Sequence, residues 1–237
     1  SIDGLVSMID DRSWTEFMPK GLTKELFAEF IAYFDEDIFA AAARRIRDCV
    51  RRADLLAPAD RVEEIAKLFS TFKNPDKETV LTPWRVVKMH LDLILTRRFA
   101  TVDADTQAEM WDLIIERNIY ALCRTPMAEA ITRRTLMGFG DVERANVACV
   151  EDIVERLRAT DGADDFALEV CSKSFWREGM GKFKFDAVVG NPPYQENAKD
   201  GGTDKPVYHH FIEAAQELSD RATLIHPARF LFNAGRT

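Results

Sequence analysis

Phe185-Asp186-Ala187-Val188-Val189-Gly190-Asn191-Pro192-Pro193-Tyr194-Gln195 is the stretch that decides how this chain is read. Ala187, Val188 and Val189 form a short apolar run, the pattern of a buried strand. Gly190 then lets the backbone turn, or lets another group approach it closely. Pro192 and Pro193 fix their own φ angles, and each pushes the residue before it toward an extended conformation. Asn191 is thereby held at the carboxyl end of a strand with little backbone freedom. In open α/β sheets ligands bind at that edge.

The chemistry of the turn follows from its side chains. Asn191 offers an amide oxygen, and the carbonyl of Pro192 is a second acceptor. Two acceptors on a stiff turn suit a planar amino group, which has two hydrogens to donate. Tyr194 supplies a flat face on which a ring can stack. The plainer reading is a strand-ending turn whose Asn bonds its own backbone and whose Tyr fills core. At average residue usage the tetrapeptide arises by chance in roughly one chain in a thousand of this length. Together with the apolar strand before it, that favours a clamp for a flat, amino-bearing group.

Asn191-Pro192-Pro193-Tyr194 after an apolar strand resembles the catalytic motif of S-adenosylmethionine-dependent amino-methyltransferases. Adenine-N6 DNA, glutamine-N5 protein and some guanine-N2 RNA methyltransferases share it. The stretches Glu78-Thr79-Val80-Leu81-Thr82-Pro83-Trp84-Arg85-Val86-Val87 and Pro227-Ala228-Arg229-Phe230-Leu231 look like the adenine methylase region of large, type II-like restriction–modification enzymes. In those, a nuclease and sometimes a helicase-like motor share the polypeptide. The likeness runs, with gaps, along the whole chain, which is read as a fragment.

The resemblance implies S-adenosylmethionine as cofactor and double-stranded DNA as substrate. It places Asn191, Pro192, Pro193 and Tyr194 at the catalytic site, with the target adenine flipped out of the duplex. It implies a Rossmann-like α/β methyltransferase sheet, incomplete in this chain, over residues 76–237, behind an N-terminal helical linking domain over residues 1–75. Thr82-Pro83 reads locally as a helix start, with Thr as N-cap and Pro at the first position. The resemblance adds that it lies beside the methionine end of the cofactor. The glutamine-N5 and guanine-N2 readings stay open, as does a non-catalytic coupling module of a larger DNA-processing enzyme.

Composition limits these readings. The 237 residues suffice for one large domain with a helical appendage. No apolar run approaches membrane-spanning length and no signal peptide is visible, so a cytoplasmic protein is expected. The net charge of −8 sits awkwardly with nucleic-acid binding, which implies that the main DNA-gripping surface lies elsewhere. Cys49, Cys123, Cys149 and Cys171 are widely spaced, so reduced thiols are expected rather than a metal site or disulfides. His209 and His210 are adjacent on a helix and expected to point apart, which argues against a shared metal.

The N-terminal part reads as helices. Leu26, Phe27, Phe30, Ile31 and Phe34 recur as one apolar stripe. Asp35, Glu36 and Asp37 open a second helix that turns Ile38, Phe39, Ala42, Ile46 and Val50 inward. Its Arg44, Arg45, Arg47, Arg51 and Arg52 face largely outward, either toward phosphate or, more plainly, as a solvated face paired with local acids. A third helix opens at Pro58, with Asp60 and Glu63 forming a capping box.

A cofactor-binding half should then show a strand ending in a glycine-rich turn, and none follows Leu91. A segment on the order of 30 residues, one βα unit, is expected to be absent near 91–97. Gly138-Phe139-Gly140 follows a helix, so it reads as a helix stop. Met110, Leu113 and Ile114 mark a short helix, and residues 118–123 and 147–150 read as strands. Arg124 and Thr125 stand where many methyltransferases have an acid for the cofactor ribose, which puts ribose recognition in doubt. Asp152, after the second of these strands, is the candidate acceptor for the cofactor's adenine amino group, although an acid opening a helix needs no ligand to explain it. Residues 160–182 read as an insertion or loop, and 196–205 as a mobile loop near the substrate.

Overall fold

The computed structural model describes residues 1–19, 21–72, 104–138, 145–176, 179–196 and 205–227. Thr82-Pro83 and the expected break near 91–97 lie outside these residues. The chain divides into two compact units, Ser1–Glu151 and Asp152–Thr237.

The first unit begins with three short helices, α1 (Ile2–Met8), α2 (Asp11–Phe17) and α3 (Lys24–Ala28). Ser1, Asp10 and Thr23 cap them, each accepting a backbone N–H with its side chain. Ile2, Val6 and Trp14 form a core on which Phe27, Ile31 and Phe39 pack. The Trp14 indole N–H donates to the Leu22 carbonyl at 2.6 Å. The stripe expected from Leu26 to Phe34 is broken, because α3 ends at Ala28 and a 3-10 turn follows at Ile31–Tyr33. Leu26, Phe30 and Phe34 are therefore left exposed.

Helix α4 (Glu36–Ala53) starts where the acids predict, with the Asp35 carboxylate accepting from the N–H groups of Asp37 and Ile38. Its apolar stripe is not turned fully inward. Ala53 is buried and Phe39 and Val50 half-buried, but Ile38 is 70% exposed and Ile46 37%. Helix α5 (Pro58–Ser70) has Ala57 as N-cap with no side-chain capping bond, so the Asp60 capping box does not form. Pro58 occupies the first turn instead, where its missing N–H costs nothing.

Helix α6 (Ala104–Arg117) is longer than expected and buries Ile115, not Leu113, which is exposed. Strands β1 (Tyr120–Cys123) and β2 (Asn146–Cys149) pair in parallel, joined through helix α7 (Pro126–Met137). Thr125 caps α7 by accepting from the Ala128 N–H, and Pro126 fills its first position. Ile115, Ala145 and Val147 form the core here, with Trp111, Ile119 and Leu136 against it.

An electrostatic junction ties the helical lead-in to this βαβ element. Arg134 on α7 forks onto the Asp54 carboxylate at 2.8 and 2.6 Å. Arg61 on α5 and the Trp111 indole both donate to the Leu136 carbonyl, at 2.9 and 2.8 Å. Gly138 ends α7 at φ +64°, with its N–H on the Arg134 carbonyl, so the G-x-G begins as a helix stop.

The second unit opens with α8 (Ile153–Leu157) and α9 (Gly162–Val170). The expected insertion at 160–182 thus contains a helix that buries Phe166, Ala167 and Val170. Asp161, at φ +58°, supplies the left-handed residue that starts it. The buried Trp176 donates its indole N–H to the Val170 carbonyl at 2.7 Å. Strand β3 (Val188–Gly190) pairs in parallel with β6 (Ala222–Leu224), and α10 (Tyr208–Leu218) connects them. Between β3 and α10, β4 (Gln195–Glu196) and β5 (Lys205–Pro206) pair antiparallel, which ties down both ends of the loop expected at 196–205. Among the described residues the strands form three two-stranded sheets, a mixed α/β architecture in which both parallel pairs are built through a helix.

Candidate active site

Register fixes where the Asn-Pro-Pro-Tyr turn begins. Val188, Val189 and Gly190 lie opposite Ala222, Thr223 and Leu224, and the Ile225 N–H donates to the Gly190 carbonyl at 2.9 Å. Because the strands are parallel, Asn191 and His226 leave the same sheet edge. The strand is less buried than its apolar run suggests, with Val189 38% exposed. Gly190 is not required for a turn. It has no positive φ, and among the described residues a Cβ there would meet only Leu224 Cδ2, at 3.5 Å.

The turn itself is closed by side chains. The Tyr194 hydroxyl donates to Asn191 Oδ1 at 2.9 Å. The Tyr194 carbonyl accepts from the Val207 N–H at 3.0 Å, which anchors the turn to the start of α10. Asn191, Pro192 and Pro193 are half-buried, while the Tyr194 ring is 39% exposed. The structure thus brings Asn191 and Tyr194 together and leaves part of the ring open.

Asp152 is exposed, at the N-cap position of α8, yet its carboxylate makes no capping hydrogen bond. The acid still opens the helix, where the N-terminus favours a negative side chain without any ligand. At the end of β1 the position of an expected ribose acceptor is taken by Thr125, whose hydroxyl is committed to capping α7.

Sequence reasoning missed the aromatic group on the same edge. The rings of Tyr208 and His226 are nearly parallel, 21° apart, with centroids separated by 6.2 Å. The signal was available in the parallel βαβ order, which puts the start of α10 and the residue after β6 at the end of β3. The expectation that His209 and His210 point apart is corrected, since their ring centroids are 4.0 Å apart. Their Cα–Cβ bonds diverge, but the side chains are long enough to swing together on the first turn of the helix. Burial first, then the charge of His209, hold His210 below the ordinary histidine range, partly offset by Glu213. Among the described residues no group of three or more His, Cys, Asp or Glu is arranged to hold a metal.

A family model described as Eco57I restriction-modification methylase matches residues 117–237, from the last residue of α6 through both parallel strand pairs. The chain belongs to this Eco57I methylase family. No curated protein and no solved structure matches it. The matched span of the methylase contains the Asn191–Tyr194 turn, Asp152 and the Tyr208–His226 pair; the helices before residue 117 lie outside it. Among the described residues of the methylase no helix is long and apolar enough to cross a membrane.

Proposed function

We propose that this methylase transfers a methyl group from S-adenosylmethionine to the N6 amino group of adenine in double-stranded DNA, within a restriction–modification enzyme. The observation that carries the proposal is the half-buried Asn191 amide at the end of β3, oriented by a tyrosine whose ring stays partly open.

Bound at the site, S-adenosylmethionine supplies a methyl group activated by its sulfonium. The protein's task is to fix the acceptor at attack distance. An exocyclic amine on adenine is a poor nucleophile, because its lone pair is delocalised into the ring. Asn191 Oδ1 and the Pro192 carbonyl accept its two N–H bonds, which draws the nitrogen toward a tetrahedral shape and disperses developing positive charge. After transfer the methylated amine loses one of these protons to water, because the amide and carbonyl oxygens are too weakly basic to keep it, and the cofactor would leave as its thioether. Tyr194 stacks on the adenine, which must first be flipped out of the duplex. Pro193 stiffens the turn. Asp152 would accept a hydrogen bond from the cofactor's adenine amino group, and Thr82 and Pro83 are the further cofactor-binding candidates. We further propose that residues 76–237 form a Rossmann-like methyltransferase domain. Residues 1–75 would act as the linking domain to nuclease and motor domains of the same polypeptide.

The deciding experiment is transfer of a labelled methyl group to duplex DNA by the enzyme and its Asn191→Ala variant, with the modified base identified after digestion. Label on adenine N6 in the wild type, lost in Asn191→Ala without loss of folding, is the expected result. Unchanged turnover in the variant, or label on protein or RNA instead, overturns the proposal.

A further inference from the structure

Helix α4 carries Arg44, Arg45, Arg47, Arg51 and Arg52 within nine residues, with Asp48 as the one acid among them. Positions 44–52 therefore hold a net charge of +4. The whole chain carries −8, so the remaining residues carry −12. Positive charge is concentrated on one short piece of an otherwise acidic protein.

At helical spacing Arg44, Arg47 and Arg51 form one row at three- and four-residue steps, and Arg45 and Arg52 lie beside it. All five lie off the side that buries Phe39, Val50 and Ala53: Arg44 and Arg51 on one side of Asp48, Arg45 and Arg52 on the other, and Arg47 on the flank. All five are exposed, and none makes an ion pair among the described residues. Arg52 donates only to the Cys49 sulfur, at 3.3 Å. Some surface cations elsewhere are paired. Arg12 pairs with Glu16 at 2.8 Å, Lys67 with Glu63 at 2.8 Å and Lys184 with Asp220 at 2.7 Å. The expectation of a face neutralised by local acids is not met, although Asp48 is within helical reach of Arg44, Arg51 and Arg52.

The row from Arg44 to Arg52 rises about 12 Å along the helix axis. A duplex presents one negative charge per about 1.7 Å of its axis, so this length faces several phosphates. The guanidinium fork suits phosphate oxygens. We infer that the arginine face of α4 is a sequence-independent docking surface for the phosphate backbone of duplex DNA. The inference rests on the DNA methylase reading and adds to it a binding surface outside the residues that match the family model.

The test uses the 237-residue chain, a short fluorescent duplex and a sodium chloride series. The variant Arg44→Glu/Arg47→Glu/Arg51→Glu is compared with Arg12→Glu/Lys67→Glu/Lys184→Glu, which changes net charge equally. Arg44→Gln/Arg47→Gln/Arg51→Gln serves as a milder form, with helix content checked by circular dichroism. Each phosphate contact contributes about 0.9 to the slope of log affinity against log salt. Loss of the arginine row should lower the slope by about 2 to 3 and weaken binding at least tenfold at low salt, while the control triple changes neither. Equal effects of the two triples, or no effect of the arginine triple, overturn the inference; the latter result with an acidic protein lost as a partner would reassign the face. Asn191→Ala should leave the salt slope unchanged. A chain that docks through α4 but transfers no methyl group sinks the methylase reading alone. A chain that methylates with the same DNA KM after loss of the arginine row sinks the α4 inference alone.

Discussion

The Tyr194 hydroxyl and the Asn191 amide oxygen lie 2.9 Å apart, so the residue that presents a stacking ring also orients the acceptor beside it. The bond spans three residues and closes the turn over the proline pair. It fixes which face of the Asn191 amide is its oxygen. It also restricts the tyrosine to an orientation that keeps its ring partly open.

Two substitutions separate the hydroxyl from the ring. Tyr194→Phe keeps the stacking face and removes one hydrogen bond of about 0.5–1.5 kcal/mol. Methyl transfer in a single turnover should slow by roughly threefold to tenfold, with DNA affinity little changed. Tyr194→Ala also removes the stack, of about 1–3 kcal/mol per base, and should weaken binding of target-containing DNA by about tenfold or more. Equal damage from both substitutions would show that the ring does not carry a base.

Asp54 holds the junction between the helical lead-in and α7. Arg134 is forked on its carboxylate, and Arg61, held below the ordinary arginine range chiefly by burial, draws support from the same charge. Both members of the Asp54–Arg134 pair are largely buried, at 14% and 23% side-chain exposure. Asp54→Ala removes the carboxylate that Arg134 is bonded to and a charge that supports Arg61, and should cost about 3 kcal/mol in urea unfolding. Asp54→Ala/Arg134→Met should recover much of that loss. A double variant no better than the single one would mean the pair is not what joins these elements.

Gly138 has φ +64° and ψ −131°, a conformation that side chains with a Cβ resist. A Cβ there would also meet the Arg61 guanidinium at 3.1–3.2 Å, the group that bonds the Leu136 carbonyl. Gly138→Ala should destabilise the protein by about 1–3 kcal/mol. Gly190→Ala, with ordinary space and no positive φ, should be nearly neutral for stability. Equal costs at the two positions would contradict the backbone described here.

Cys149 provides a pH signature. Burial, followed by the charges of Glu129, Glu151 and Cys123, pushes its thiol up from 9.0 to about 11. Between these values the unfolded chain has lost the proton and the folded chain still holds it. The folded state thus binds more protons, and stability falls as pH rises from about 9 to about 11. The melting temperature should drop across this window, and Cys149→Ser should flatten the drop. Alkylation of Cys149 in the folded protein should likewise accelerate only toward pH 11, because the thiolate is the reactive form.

Local chemistry made several features legible in the sequence. Thr125-Pro126 predicts the start of α7, Asp35 the start of α4 and Gly138 the end of α7, because each depends on residues within one helical turn. The strand before Asn191 and the stiffness of the turn after it are legible for the same reason. The capping box at Asp60 failed because Pro58 opened the helix two residues earlier. The inward stripe of α4 failed because periodicity says which residues share a face, not whether anything covers that face.

The amino acids alone determined that a rigid, acceptor-bearing turn follows an apolar strand, since proline geometry and the Asn and Tyr side chains are properties of neighbours in the chain. Only the tertiary structure decided that Tyr194 orients Asn191, that His226 leaves the sheet on the same edge, that Cys123 and Cys149 face each other across β1 and β2, and that five arginines on α4 make no ion pair among the described residues. Rotamer choice, strand register and the pairing of charges are settled by groups that can lie far apart in sequence, and no local pattern encodes which of them will meet.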